Sequence, residues 1–469
     1  MPTATAERPG PNGSDLVDAT AGPTLRQARA PTGWREQLGR PVPSASYVAF
    51  RWAFGALVVI GQVRFLARGW VEEFYLAPDV HLTYPGLEWV RPLPAPAMYA
   101  VVLGLAGLGV AIAAGWRTRV AAAMFAIAFT YTELIDAALY LNHYWFISLA
   151  AVVLAVVPTP REGAVAWVSV LAMRGQLAVV YVFAGLAKLN EDWLLRGEPL
   201  STWLAARTDR PLIGPILDEP FVGLGLSWAG ALFDLTIVGW LLWRRSRPIA
   251  YIALVVFHVA TAALFQIGMF PAVMILLTPI FFSPSWPHEL ARRVRSVLAV
   301  EPTTSLAPVT VEPARTKRRP VGRVVFGVFV AMAALNLMLP LRHYVAEGNV
   351  RWNDDGYLLS WRVMLTERAS HVRFNVTDTL TGATERVAAE TVLTDWQAAS
   401  AVVRADLILA TGHLIAAHYR DRLGRDVEVR ADAFVAWNGR LAARWVDPTV
   451  NLAALSRFAP ASAYVLDRP

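Results

Sequence analysis

Lysine occurs only twice in this chain, at Lys188 and Lys317, among 43 basic residues; the other 41 are arginine. Such a bias most simply reflects a GC-rich genome, in which arginine serves wherever a generic positive charge suffices. A lysine is then worth inspecting, because near neutral pH it can lose its proton and arginine cannot. Lys188 follows an apolar run from Leu177 to Ala187, which puts it at a membrane boundary. Partial desolvation there would lower its pKa and make it a usable base. A lysine that snorkels to anchor a helix end is the other reading of the same position.

Other polar groups lie within or at the ends of apolar runs, where burial is costly and function is the default suspicion. Glu133 and Asp136 close one run, and Asn142-His143-Tyr144-Trp145 opens the next. Arg174 and Gln176 precede Lys188, Asp234 sits inside a later run, and His258 is flanked by apolar residues. His143 reads either as a functional group or as an interfacial histidine hydrogen-bonded to a neighbour, beside an aromatic belt. For His258 a satisfied core position is an equal alternative to catalysis. The eight histidines are scattered without metal-ligand spacing, and no HExxH, GxSxG, P-loop or dinucleotide fingerprint occurs. With no cysteine, thiolate catalysis, Fe–S clusters and Cys-ligated zinc are excluded.

The elements that position these groups are set by composition. Of 469 residues, 55% are hydrophobic and 17% charged, and the mean hydropathy is +0.41. A soluble protein carries about 25% charged residues. The apolar excess falls in blocks at 46–66, 97–114, 118–138, 143–158, 165–187, 224–243, 248–265, 268–282 and 323–341. The expectation is a polytopic α-helical membrane protein with about nine transmembrane helices. Residues 1–44, rich in Pro, Gly, Ala and Thr, read as a disordered cytoplasmic tail, and 45–341 as the transmembrane domain.

Arginine orients the chain. With the N-terminus inside, the cytoplasmic segments hold Arg117, Arg119, Arg161, Arg244, Arg245 and Arg247, and the basic loop 283–322 holds Arg292, Arg293, Arg295 and Arg315–Arg319. The opposite loops mix signs, as positive-inside topology requires. The net charge of +7 is therefore assigned to topology and anionic lipid, not to nucleic acid. The chain is placed in the plasma membrane, multi-pass, with its C-terminal region exported.

Residues 342–469 read as a small α+β domain on that exported face. His371–Asp378 alternates apolar and polar residues and turns through Thr381-Gly382 into Thr384–Glu390. Residues 395–420 read as a helix, and Asp426–Ala436 pairs with Leu441–Val446 across Asn438-Gly439.

Several segments carry a family resemblance. Ala184-Gly185-Leu186-Ala187-Lys188-Leu189-Asn190-Glu191-Asp192-Trp193 resembles the AG-x-x-KL-x-x-DW segment of the vitamin K-dependent γ-glutamyl carboxylase family, whose bacterial relatives are described as HTTM-domain proteins. Phe257-His258, Phe265-Gln266-Ile267-Gly268-Met269-Phe270 and Ser283-Pro284-Ser285-Trp286-Pro287 are similar to its FH…LFSIGMF…SPEWP stretch. Leu339-Pro340, His343, Gly348, Trp352 and Ser360-Trp361 resemble its LP-x-x-H…G…W…SW stretch. The resemblance runs in order from about residue 45 to 460.

It implies an integral membrane enzyme in which a lysine base deprotonates vitamin K hydroquinone and O2 adds. The oxygenated intermediate removes a γ-proton from glutamate, CO2 traps the carbanion, and the quinone leaves as its epoxide. Lys188 falls on the catalytic lysine and Asn142-His143 on the assisting Asn-His pair. Tyr357, Trp361, His258, Gln266 and Met269 fall on the substrate side. The implied co-substrates are reduced vitamin K or menaquinol, O2 and CO2, with no metal; the partners are the bilayer, a lipophilic quinol and a Glu-containing peptide or protein. Ala187 stands where animal members have a second lysine, and Asp355–Trp361 departs from their Gly-Leu-Tyr-Gly-Tyr-Ser-Trp. Those departures lie in glutamate- and propeptide-recognition regions. A quinol epoxidase that does not carboxylate protein, and a non-catalytic membrane binding protein, are the alternatives.

Overall fold

The computed structural model describes residues 33–298 and 320–468. The apolar blocks form helices α1 (Ala45–Ala67), α2 (Ala95–Ala114), α3 (Thr118–Leu134), α4 (Asn142–Val156), α5 (Trp167–Ala187), α6 (Pro220–Leu242), α7 (Arg247–Leu264), α8 (Phe270–Leu277) and α9 (Arg323–Leu341). Six of them, α1, α2, α5, α6, α7 and α9, are long and apolar enough to cross a membrane. A seventh span results if α8 and its 3-10 continuation are joined to the helix Trp286–Val297, from which they are bent by 94°. The expected nine is thus not reached by length and composition. The reason is local: α3 ends where Asp136 turns extended, α4 is only 15 residues, and α8 tightens into a 3-10 turn at Thr278–Phe281. A simple span needs about 20 residues.

The bundle has a clear interior. α5 is the most enclosed span, with 56% of its apolar window buried against 11–33% for the others. Short α4 also lies inside, burying Phe146, Leu149, Ala151 and Leu154. The outer helices carry their apolar side chains outward, as lipid-facing surfaces do.

Two of the loop segments hold short regular elements among the described residues. Most of 1–44 lies outside the described residues, but Trp34–Leu38 is helical and Pro41–Pro43 pairs antiparallel with Ala164–Ala166. The basic loop 283–322 opens with the helix Trp286–Val297, while Arg315–Arg319 lie outside the described residues.

The C-terminal domain is a four-stranded antiparallel sheet, β1 (Arg368–Asp378), β2 (Thr384–Val387), β3 (Val427–Trp437) and β4 (Ala443–Arg444), in the order β2-β1-β3-β4. The long β1–β3 ladder runs from Arg368 opposite Trp437 to Asp378 opposite Val427. Strict alternation on β3 buries Val427, Val429, Ala431, Ala433, Val435 and Trp437 on one face. The single helix expected at 395–420 is two, α10 (Asp395–Ala401) and α11 (Ala405–Leu423), broken where Arg404 becomes extended and its guanidinium donates to the Ala137 carbonyl.

Two polar clamps fasten this domain to the bundle loops. Gln397 Nε2 donates to Asp136 Oδ2 at 2.7 Å, so Asp136, a functional candidate by sequence, instead holds the domain in place. At the other edge Asn438 Nδ2 donates to Asp192 Oδ2 at 3.1 Å, and the Arg440 guanidinium pairs with the same carboxylate. Burial works to raise the Asp192 carboxyl, but the bonds from Arg440 and Asn438 outweigh it and hold it below the usual carboxylate range.

Candidate functional site

The geometry begins with a glycine. A Cβ at Gly185 would come within 2.9 Å of both the backbone nitrogen and the side chain of Leu235, so only glycine lets α5 and α6 approach this closely. The approach sets Lys188, which caps the end of α5, beside Asp234 of α6: Nζ donates to Oδ2 at 2.8 Å. Lys188 is 6% exposed and Asp234 5%. The lysine therefore does not snorkel; its ammonium is committed to a buried carboxylate, with a further 3.3 Å bond to the Ala184 carbonyl.

The next residues close over the pair. Asn190 caps the short helix Glu191–Leu195 by accepting from the Trp193 backbone N–H. The Trp193 indole N–H donates to the Ser227 carbonyl at 2.6 Å, and its ring lies 5.0 Å from Lys188 Nζ, in cation–π range. Two turns before Lys188 on the same helix, the Tyr181 hydroxyl is 2.9 Å from His258 Nε2. His258 is 2% exposed, and its Nδ1 has no partner among the described residues.

These groups face a cavity of about 790 Å³, within the usual size range of small-molecule sites. Gly268, with φ of +60°, makes the tight turn between α7 and α8 that sets Gln266 and Met269 in the cavity wall. Asn142 and His143, on the first turn of α4, also line it beside that turn, with the His143 ring 6.0 Å from that of Phe270. A hydrogen-bond chain joins them to the C-terminal segment: the Leu359 N–H donates to the Tyr140 hydroxyl at 2.7 Å, which donates to Asn142 Oδ1 at 3.1 Å. Tyr357, Val363 and Met364 from that segment, with Trp396 and Ser400 of α10, also line the cavity. Burial pushes the Tyr357 phenol above its usual value, so it remains a hydrogen-bond donor through the neutral pH range.

Seven of the eight residues expected by sequence therefore line one cavity: Lys188, Asn142, His143, His258, Gln266, Met269 and Tyr357. Trp361 does not. It is 1% exposed, has a φ of +57°, and packs into the core of the helix bundle. Arg174 and Gln176 are also structural, Arg174 donating to the carbonyls of Ile280 and Phe282, and Gln176 exchanging amide bonds with Asn336 of α9. Glu133 and Asp234, candidates by sequence without an assigned role, line the cavity too, as do Tyr181 and Arg64, which the sequence did not single out. Asp234 carried a signal, an acid inside an apolar run; Tyr181 carried none. Among the described residues no group of three or more His, Asp or Glu is placed to hold a metal ion.

No solved structure matches the chain. A family model described as the HTTM domain matches residues 39–286, more than half of the chain and all of α1 to α8. A second, described as the vitamin K-dependent gamma-carboxylase, lumenal domain, matches residues 321–468, from α9 through the sheet domain. The two matches share one chain in sequence order, and the cavity draws its walls from both. The chain belongs to the vitamin K-dependent γ-glutamyl carboxylase family.

Proposed function

We propose that the protein is a membrane-embedded, quinol-dependent carboxylase-like enzyme, in which oxygenation of reduced vitamin K or menaquinol drives proton abstraction from, and carboxylation of, glutamate. The observation that carries this reading is the buried Lys188–Asp234 pair opening on a largely apolar cavity. The fit is chemical. A lipophilic ring suits walls of Phe, Leu and Val, and the unpartnered Nδ1 of His258 gives its oxygen a hydrogen-bond partner. Gln266, Met269 and His258 would hold the ring, with Asn142 and His143 lining the same cavity. When bound, the reduced quinone supplies with O2 the driving force for removing an unactivated γ-proton.

The protein's own part is proton handling. An ammonium is not a base, so Lys188 Nζ must first release a proton; Asp234 Oδ2 at 2.8 Å is the acceptor in reach. The freed amine then takes the ring hydroxyl proton, and the pair ends with one proton more than it began with. The Trp193 ring lies against Lys188 Nζ at 5.0 Å, where it favours the charged form of the amine. The topology that suits this chemistry has the N-terminus cytoplasmic and the C-terminal domain outside the plasma membrane.

A narrower reading, quinol epoxidation without carboxylation of protein, is favoured by the sequence departures at Asp355–Trp361 and by Trp361 lying away from the cavity. The test uses the purified full chain with a reduced naphthoquinone, O2 and labelled CO2. Epoxide with label in a Glu-containing peptide supports the full reaction; epoxide without label supports the narrower one; no epoxide contradicts both.

A further inference from the structure

The cavity has two cationic side chains in its lining, Lys188 and Arg64. Lys188 is committed to Asp234. Arg64, on the last turn of α1, has no such partner among the described residues: its guanidinium lies 4.9 Å from the centre of the Trp70 ring and enters no ion pair. Glu73 and Glu133 line the same cavity, yet neither comes within ion-pair distance of it. Arginine cannot discharge by losing a proton, and a half-buried guanidinium without an acceptor is costly. The cavity that Arg64 lines takes polar residues from both parts of the chain, among them Asn142, Tyr357 and Ser400. The planar guanidinium fork matches a carboxylate bidentately.

We propose that Arg64 is the anchor for a carboxylate-bearing substrate entering beneath the C-terminal segment. Arg64 shares the cavity lining with Asn142, His143 and the Lys188–Asp234 pair, and of these only the pair is joined in an ion pair among the described residues. The Arg64 guanidinium would hold the carboxylate in the cavity onto which the Lys188–Asp234 pair also opens. The proposal rests on the enzymatic reading above and specifies its second substrate as a carboxylate, either a glutamyl side chain in a peptide or a small free dicarboxylate.

The test measures binding, not turnover, so it stands apart from the epoxidation assay: absence of epoxide overturns the quinol reading and leaves this measurement intact. The full chain in detergent is titrated calorimetrically with a Glu-containing pentapeptide, its Gln counterpart, and glutarate. The wild-type protein is expected to bind the Glu peptide or glutarate and to bind the Gln peptide at least ~10-fold more weakly, as loss of a charge-assisted pair implies. Preference for the peptide identifies a glutamyl residue; equal or tighter binding of glutarate identifies a free dicarboxylate. Arg64→Gln should erase the discrimination. Arg64→Lys keeps the charge without the fork, should weaken binding by a smaller factor, and serves if Arg64→Gln does not fold. Equal binding of Glu and Gln peptides by the wild type, or an unchanged Kd in a folded Arg64 variant, would overturn the proposal.

Discussion

At the scale of single residues, the pairing of Lys188 with Asp234 governs what the site can do. Both side chains are buried and joined at 2.8 Å, so each compensates the desolvation of the other. Removing one partner leaves an uncompensated charge, which typically costs about 3–5 kcal/mol, whereas replacing both by apolar groups is often neutral. Asp234→Leu should therefore lower the thermal stability of the purified protein by roughly that amount. The double variant Lys188→Met/Asp234→Leu should recover most of the loss while having no activity. A melt of Asp234→Leu indistinguishable from wild type would mean that the pair is not formed. The sequence made Lys188 conspicuous by its rarity. It could not reveal the partner, because Asp234 is 46 positions away and is brought close only by the Gly185 contact between α5 and α6. Trp361 illustrates the converse: a motif tryptophan reads the same whether it faces a ligand or the core, and here it packs into the core of the bundle.

Among elements, the attachment of the sheet domain to the bundle rests on loops at opposite edges of the site. Asp192 follows Lys188 by four residues and receives Asn438 and Arg440 from the turn between β3 and β4, so that clamp fixes both the end of α5 and the sheet domain. The Asp192 carboxyl is held below its usual value in the folded protein. Its contribution is thus complete above the unfolded value, near pH 4, and is lost as pH falls through the lower folded one. Amide exchange around Asn438 should accelerate on acidification below about pH 4 in the wild type; in Asp192→Asn it should already be fast at neutral pH and insensitive to acid. Identical exchange in the two proteins at pH 7 would remove the clamp from the account. The strands were legible because alternation on β1 and β3 is strict. The break between α10 and α11 was not, because it depends on Arg404 reaching the Ala137 carbonyl in another part of the chain. The helix Trp286–Val297 also escaped notice within a loop read for its charge, although Leu290, Val294 and Val297 lie on one face and Arg292, Arg293 and Arg295 elsewhere on the helix.

For the whole molecule, the apolar blocks located every major bundle helix, but not how many of them span a membrane. Block length overstates helix length wherever an apolar run continues through a turn, as at Thr278–Phe281 and after Leu134. Orientation can be read directly, since the chain has no cysteine and every introduced thiol is unique. An impermeant maleimide should label Thr384→Cys in intact cells, and Arg292→Cys only after permeabilisation; the reverse pattern would invert the proposed topology. The proposed function turns on one claim, that Lys188 is the base that starts quinol oxygenation. The most direct test is epoxide formation from a reduced naphthoquinone and O2, comparing wild type with Lys188→Ala at matched folded concentration. The wild type should turn over and the variant should lose at least ~100-fold, as removal of a general base typically gives; equal epoxidation by both proteins would rule out Lys188 as that base.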